Sequence, residues 1–423
     1  MSLWKRIPLR FRRPLTHRVL FNLSAWRSRS WQKADATQRI EPGDFVVTTF
    51  YHESSGIARG GRLTASALRS TGYDLIEHDL RPVFKRILRS DAQLPGSSGV
   101  WLIHANPPEL LVALLGHTPD QWANRYRITY WAWETPLFPA SWVWLADYVH
   151  EIWVPSTFVH DAIVAAFREA GREDLSPRVR VMPHPVPVPP CERHEAARTR
   201  FGLQSGVCEV LCLFDTKSSA TRKNPWAVLT AWRKAFPAPT PQARLTLKVN
   251  SLAADLTTDA RLKQELEGRS DIRLLTDRFS DAEMTDFVAS FDLLISLHRS
   301  EGFGLPLAEA MAAGVPVVAT GWSGNLEFCD QKNAALVPYT LVPIRDPDGF
   351  YSGLKGDAQV WAEPDIDAAA DLLGRLSTSS ADRAMLARNA RASVGGLLSR
   401  WQGEAIADLP FNAHLKSHAS TRS

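Results

Sequence analysis

The stretch SLHRSEGFGLPLAEAMAAGVPVVAT, residues 296–320, decides how the rest of the chain is read. The apolar run LLISL (293–297) ends a strand, HRSEGFG forms a loop, PLAEAMAAG reads as a helix and PVVAT as the next strand. Pro306 is tolerated in a first helical turn, and Gly314 ends the helix. Gly302 and Gly304 have no side chains, so backbone N–H groups at the helix start can approach an anion, and a helix N-terminus favours negative charge there. That geometry suits a phosphate. Glu301 and Glu309 stand among small and apolar residues, where a buried carboxylate without a partner is costly. Glu301 is placed to meet sugar hydroxyls, and Glu309 to accept from vicinal hydroxyls such as those of ribose. The plainer alternative makes Glu301 a helix cap and Glu309 a surface residue.

The same strand–helix alternation runs outward in both directions. DFVVTTF (44–50), YDLIEHDL (73–80), GVWLIHA (99–105), YRITYWAW (126–133), EIWVPS (151–156) and RVRVMPHPV (178–186) are strand candidates, and GRLTASALRSTG and TFVHDAIVAAFREAG read as helices. The proline-dense PVPVPPCERHEA cannot continue a helix or a central strand, so residues 185 to about 205 read as a connection. The pattern then restarts with VLCLFD (210–215), RLTLKVN (244–250) and IRLLTD (272–277), with helices expected near 225–236, 259–268, 280–291 and 306–313. Such alternation implies parallel sheets with right-handed crossovers. The expected organisation is a basic arm (1–40), an N-terminal acceptor-side α/β domain (41–190), a C-terminal α/β domain (205–390) and a helix over 391–412 crossing back. The fold class expected is α/β, two doubly wound Rossmann-like domains facing a central cleft that holds the ligand.

Residues 1–33 carry nine Lys and Arg and no acid, interleaved with Trp4, Phe11, Leu20, Phe21, Trp26 and Trp31. The segment has no apolar core long enough for an export signal or a membrane span. It reads either as a disordered or loosely docked extension or as an arm on an anionic membrane surface. A net charge of +4 over 423 residues does not support nucleic-acid binding. Cys191, Cys208, Cys212 and Cys329 show no paired spacing, which suggests reduced thiols in a cytoplasmic protein and no metal site.

Glu301-GFGLPLA-Glu309, with HRS before it and AMAAGVPVVAT after it, resembles the E-x7-E signature of the retaining family 4 glycosyltransferases, which have the two-domain GT-B architecture. The likeness continues through TGWSGNLEF (320–328), NAALVPYTLVPI (333–344) and WAEPDIDAAA (361–370). The resemblance implies that Glu301 contacts a donor sugar, that Glu309 contacts the nucleotide ribose, and that backbone amides around Gly302, Phe303, Gly304 and Leu305 hold hexose and phosphate. DTKSSATRKNP (215–225) is similar to the family's first C-terminal-domain loop, which makes Arg222 and Lys223 the cations that neutralise the diphosphate. Two fixed cations and a helix N-terminus can stabilise a leaving diphosphate without a metal ion; a solvated basic turn is the alternative. Lys248, at a strand end, is a weaker donor-binding candidate, and Thr276–Phe279 is a base-binding loop by position only.

In the N-terminal half, SSGIARGGRLTASALRSTG (54–72) resembles the family's glycine-containing loop. Gly56 and Arg62 match, but Ala58 stands where a further glycine is common. The dinucleotide fingerprint G-x-G-x-x-G is absent, which argues against a dehydrogenase. His104 and Asn106, after the strand ending WLIHA, are expected to point into the loop above the sheet. The resemblance makes His104 a candidate near the donor sugar, a histidine satisfied by neighbouring backbone being the alternative; Asn106 and Glu134, by their places at strand ends, are candidates on the acceptor side. His184 is structural or cleft-lining.

Together these readings imply a cytoplasmic, metal-independent, retaining hexosyltransferase without a resident cofactor. It would move a hexose from a nucleotide-diphosphate sugar to a glycan or lipid-linked acceptor, in bacterial surface-polysaccharide or glycolipid assembly, peripheral to the inner membrane face. A non-catalytic sugar-nucleotide or glycan-binding protein on the same scaffold, and a nucleotide-sugar epimerase, are the competing expectations.

Overall fold

Six apolar segments of the N-terminal half pair into one parallel sheet: β1 (Asp44–Thr49), β2 (Leu75–Asp79), β3 (Gly99–Ile103), β4 (Arg125–Tyr130), β5 (Glu151–Val154) and β6 (Val179–Val181), in the order β2-β1-β3-β4-β5-β6. Six more form a second parallel sheet: β7 (Cys208–Asp215), β8 (Ala243–Asn250), β9 (Ile272–Leu275), β10 (Leu293–Ser296), β11 (Val317–Thr320) and β12 (Ala335–Val337), ordered β12-β11-β10-β7-β8-β9. Both sheets are buried on two faces, which explains why their strands read as continuous apolar runs. The structure, a computed structural model, describes residues 9–35, 37–189, 195–347, 349–351 and 359–416. Among them no helix is long and apolar enough to cross a membrane.

The chain divides into two units: Met1–Pro185 with Gly349–Gly356 and Ser399–Ser423, and Val186–Asp348 with Asp357–Leu398. In the first, α1 (Leu9–Arg27), α2 (Gly56–Ser70), α3 (Pro107–Gly116) and α4 (Thr157–Glu169) accompany the sheet. Ser55 and Ser156 cap α2 and α4 through their hydroxyls, as their positions before apolar-periodic runs suggest. In the second, α5 (Pro225–Ala235), α6 (Leu305–Ala312), α7 (Ile366–Thr378) and α8 (Ser380–Gly395) do the same.

Four expectations need correction. Residues 9–27 of the basic arm are a helix built into the first unit: Phe21 meets Trp144 edge-on at 6.3 Å, and the Arg27 guanidinium donates to the Leu88 carbonyl at 2.6 Å. Residues 1–8 of that arm lie outside the described residues. The connection is shorter than 185–205, because Glu195–Arg200 is helical and buried Arg198 donates to the Ser290 carbonyl at 2.7 Å. The segment 391–412 is not one helix. Helix α8 ends at Gly395 in the second unit, and Ser399 onward belongs to the first, where Trp401 is fully buried against Trp153 and donates to the Pro183 carbonyl at 2.6 Å. An antiparallel pair, β13 (Tyr339–Pro343) and β14 (Val360–Pro364), follows β12 in a stretch with no strand expectation. Cys208, Cys212 and Cys329 are buried and free, while Cys191 lies outside the described residues.

Candidate functional site

The strand order of the second sheet reverses between β7 and β10, the position where open α/β sheets bind ligands beyond their carboxyl ends. The loops leaving these two strands carry Arg222, Lys223 and Glu301, and they are hydrogen-bonded to each other. Arg299 N–H donates to the Arg222 carbonyl at 2.8 Å, and the Arg222 guanidinium returns to the Ser300 carbonyl at 2.6 Å. Arg299 holds the Thr221 carbonyl at 2.7 Å and pairs bidentately with Glu363 of β14 at 2.7 and 3.0 Å.

The Glu301 carboxylate stands between the two cations: its Oε1 is 2.5 Å from Lys223 Nζ and 3.2 Å from the Arg222 guanidinium. Burial pushes this carboxyl up, since Glu301 is only 7% exposed, but Lys223 and Arg222 outweigh burial and hold it at about 2. It is therefore an anion at any ordinary pH, a hydrogen-bond acceptor and not an acid. Arg222 is fully buried and also donates to Ser218 Oγ at 2.8 Å, so it braces the loop as well as the carboxylate. The two residues that flank this turn, Ser219 (φ 64°) and Asn224 (φ 52°), have left-handed backbone conformations uncommon for non-glycine residues. Such strain tends to collect at functional loops.

Gly304 enters α6 at φ 91°, a conformation glycine adopts without strain, and Pro306 occupies the first turn. The Glu301–Gly302 peptide is clamped by the turn after β11. Ser323 Oγ accepts from Glu301 N–H at 2.9 Å, and Gly324 N–H donates to the Glu301 carbonyl at 2.8 Å. A Cβ on Gly324 would collide with the Gly302 carbonyl, a backbone atom with nowhere to yield. Gly324→Ala is expected to destabilise the fold by about 1–3 kcal/mol, as overpacking does, and to weaken binding of the expected donor by displacing the Gly302–Leu305 backbone amides. Thermal melting with donor titration calorimetry tests this, and wild-type values in both would refute the clamp.

The remaining donor candidates separate by environment. The Phe303 side chain is core, packed on Phe328 at 4.8 Å, so only its backbone faces the loop's function. Leu305 is buried and Glu309 half-buried on α6. Lys248 is buried in β8, where its ammonium donates to Asn250 Oδ1 at 2.7 Å and lies 5.4 Å from the Phe279 ring centroid; burial lowers its pKa. Phe279 itself packs on Phe201 and Phe287. Sequence reasoning missed His298, one residue beyond the apolar strand run. It is fully buried, burial holds its pKa down at about 4, and neither ring nitrogen has a hydrogen-bond partner among the described residues.

The first unit holds the other candidates. Gly56 opens α2, with open space where a side chain would stand, and Arg62 donates to the Glu53 carbonyl at 2.8 Å. His104 does not point into the loop above the sheet. It is buried, stacked on Tyr130 at 4.1 Å and 5.7 Å from His184, and burial holds its pKa well below the usual histidine value. Stacking on an aromatic face favours this neutral ring position over an exposed one. Asn106 is likewise turned to the protein, its Oδ1 accepting from Ala132 N–H at 2.8 Å. Glu134 is half-buried and accepts from the Tyr351 hydroxyl at 3.3 Å, beside an aromatic cluster of Trp133, Phe138 and Trp142.

Residues 223–355 match the family model described as Glycosyl transferases group 1, a span that includes Lys223, Glu301 and Glu309. An MMP alpha-(1->4)-mannosyltransferase of Mycolicibacterium hassiacum is 31% identical over 138 residues, 33% of this chain; the chain spans only 28% of that relative's length. Among solved structures, Anabaena HepE in complex with UDP and glucose superposes with a TM-score of 0.59 at 15% identity, covering 86% of this chain and 100% of HepE. A glycosyltransferase from Rickettsia africae gives 0.57 at 14% identity, covering 84% and 96%. WaaG, a glycosyltransferase involved in lipopolysaccharide biosynthesis, gives 0.53 at 15% identity, covering 84% and 98%. These structures share the fold expected from the sequence, two doubly wound α/β units of the GT-B type.

Proposed function

Taking residues 223–355 as a glycosyl transferases group 1 domain, we propose that this chain is a retaining hexosyltransferase that uses a nucleotide-diphosphate sugar. The observation that carries the reading is the ionised Glu301 held between Lys223 and Arg222 where the strand order reverses. The donor's diphosphate lies at the N-terminus of α6, where the helix dipole and Lys223 stabilise the charge that develops as the sugar–phosphate bond breaks. Lys223 then exchanges its contact with Glu301 for the phosphate. Arg222 keeps the loop in place, Glu301 accepts from a sugar hydroxyl, and Glu309 accepts from the ribose.

The acceptor oxygen attacks the anomeric carbon on the face the leaving group departs from. The electron pair of the broken C–O bond goes to the diphosphate oxygen, which takes the acceptor's proton. This arrangement needs no metal ion for charge neutralisation and no resident cofactor. On the first unit, Glu134 beside Trp133 is the candidate for an acceptor hydroxyl. The setting proposed is the cytoplasmic face of a membrane, in surface-polysaccharide or glycolipid assembly. The neighbour involved in lipopolysaccharide biosynthesis supports that setting, while the mannosyltransferase relative and the neighbour solved with UDP and glucose support a nucleotide-sugar hexose donor.

Nucleotide-diphosphate release from UDP-, GDP- and dTDP-sugars, with EDTA present and a membrane lipid extract as acceptor, tests this. Release from one donor, lost in Lys223→Ala and giving a product with the donor's anomeric configuration by NMR, is expected. Donor binding without release from any sugar, even with purified lipid-linked acceptors, would favour a binding protein. An inverted product would overturn retention.

A further inference from the structure

Helix α1 leaves one apolar stripe in solvent. Leu15, Val19 and Trp26 are 51%, 57% and 69% exposed, and their positions fall within about 40° of one another around a helix. Its inner side, by contrast, is seated: Ser24 is buried and Phe21 and Arg27 are tied to the body of the unit. Scattered exposed apolar residues need no explanation, but a stripe on one face does.

A separate part of the chain brings the same chemistry to the same place. Arg27, the last residue of α1, bonds the carbonyl of Leu88, whose side chain is 76% exposed. Leu88 belongs to KRILR (85–89), in which Lys85, Arg86 and Arg89 are also exposed. Between the end of α1 and α3 lies a cavity of about 370 Å³, with Trp26, Trp31, Leu114 and Leu115 among its walls and Arg29 at its edge. Arg29 is exposed, and Arg27 and Arg29 supply positive charge next to an apolar recess. Over residues 1–33 there is no acid to offset the nine basic residues.

Exposed tryptophan and leucine ringed by Lys and Arg, contributed by two distant segments, are what an interfacial surface requires. Apolar side chains enter the acyl boundary while the cations stay at the headgroup level. We propose that the outer face of α1, the 85–89 loop and the Trp26 cavity form a docking surface for an anionic phospholipid bilayer. The charge selects the anionic leaflet, and the cavity gives one acyl chain or headgroup a place beside Arg29. Each basic residue held near such a leaflet changes partitioning about fivefold, so the surface discriminates steeply between anionic and neutral membranes. The inference stands on this surface and not on the transferase reading.

The test is flotation of the full chain with vesicles of phosphatidylcholine alone or mixed equally with phosphatidylglycerol. Binding to the mixed vesicles only is expected, weakened as salt shortens the screening length from about 10 Å at 0.1 M to about 3 Å at 1 M. Trp26→Ser combined with Leu88→Ser, and separately Arg29→Glu with Arg89→Glu, should each lower the bound fraction at least tenfold with unchanged thermal melting. Soluble-acceptor turnover, where present, should not change. Equal binding to both vesicle types, no binding to either, or binding indifferent to all four substitutions would overturn the proposal. So would a concentration-dependent dimer in the absence of lipid that Trp26→Ser abolishes, since it would assign the stripe to a second copy.

Discussion

Glu301→Gln is expected to lower turnover by about 10²–10³-fold, the usual loss when one preorganised electrostatic contact to a reacting centre is removed. The ion cluster predicts more than a loss. In the wild type the carboxylate holds Lys223 Nζ at 2.5 Å, and under the proposed function it would compete with the diphosphate for that ammonium. Glutamine, without charge, releases Lys223 to the donor. Donor affinity should therefore stay level or tighten while kcat falls, a split that a general loss of fold would not produce. The cost appears in stability instead, because buried Arg222 and half-buried Lys223 lose the carboxylate charge that stands between them. Single-turnover kinetics beside donor calorimetry separates these quantities. Unchanged kcat would remove Glu301 from the chemistry, and a parallel loss of donor binding would make it a binding group only.

The second large effect is on acid stability, and it falls on the first unit. His117, His150 and His184 lie there, and burial holds their pKa values at about 4, 3 and 3. His150 Nδ1 accepts from Arg127 N–H at 2.9 Å, a bond only the uncharged form makes. In the unfolded chain these rings take up protons as the pH falls through 6.5, their ordinary value. In the folded unit they do not do so until the pH approaches their lowered values. The unfolded state thus binds more protons across that window, and stability falls as the pH drops. At about pH 5 each ring contributes a loss of about 2 kcal/mol, and three together approach the whole stability of an ordinary domain, about 5–15 kcal/mol.

In the second unit His298 has such a depressed value, at about 4. Glu301, held down at about 2 from an ordinary 4.5, stabilises above the ordinary value, and its contribution is lost only as the pH falls toward the lower one. Tryptophan emission and hydrogen exchange followed down a pH series should show the first unit opening before the second. Simultaneous opening, or the second unit first, would contradict the histidine account.

The sheets were legible because parallel strands buried on both faces leave unbroken apolar runs, such as VLCLFD and LLISL. The loop and helix that carry Glu301 and Glu309 were legible because their parts are consecutive in the chain. What could not be read is the pairing of Lys223 with Glu301, 78 residues apart, and the clamp of Ser323 and Gly324 on the Glu301–Gly302 peptide. Such contacts depend on which loops the strand order makes neighbours. His104 and Asn106 stand at the strand end that the sequence indicates but turn into the protein, since residue type does not reveal that Tyr130 stacks under the imidazole. Helix α1 was hidden by its basic residues, which are as compatible with a solvated arm as with a docked helix. The β13–β14 pair was missed because β13 is largely exposed and lacks a buried run.

Trp401 and Phe411 are both fully buried in the first unit, and Trp153 touches both. During synthesis the residues that complete this unit leave the ribosome only after nearly all of the second has emerged. The second unit, with its last described helix ending at Gly395, can close while the first still lacks a wall. The first unit therefore cannot mature before the second has been synthesised, unlike the usual order in which the earlier domain is complete first. A released chain cut at residue 398 would carry every segment of the second unit but leave the first open, exposing the side of Trp153 that Trp401 covers to chaperones or to misassembly.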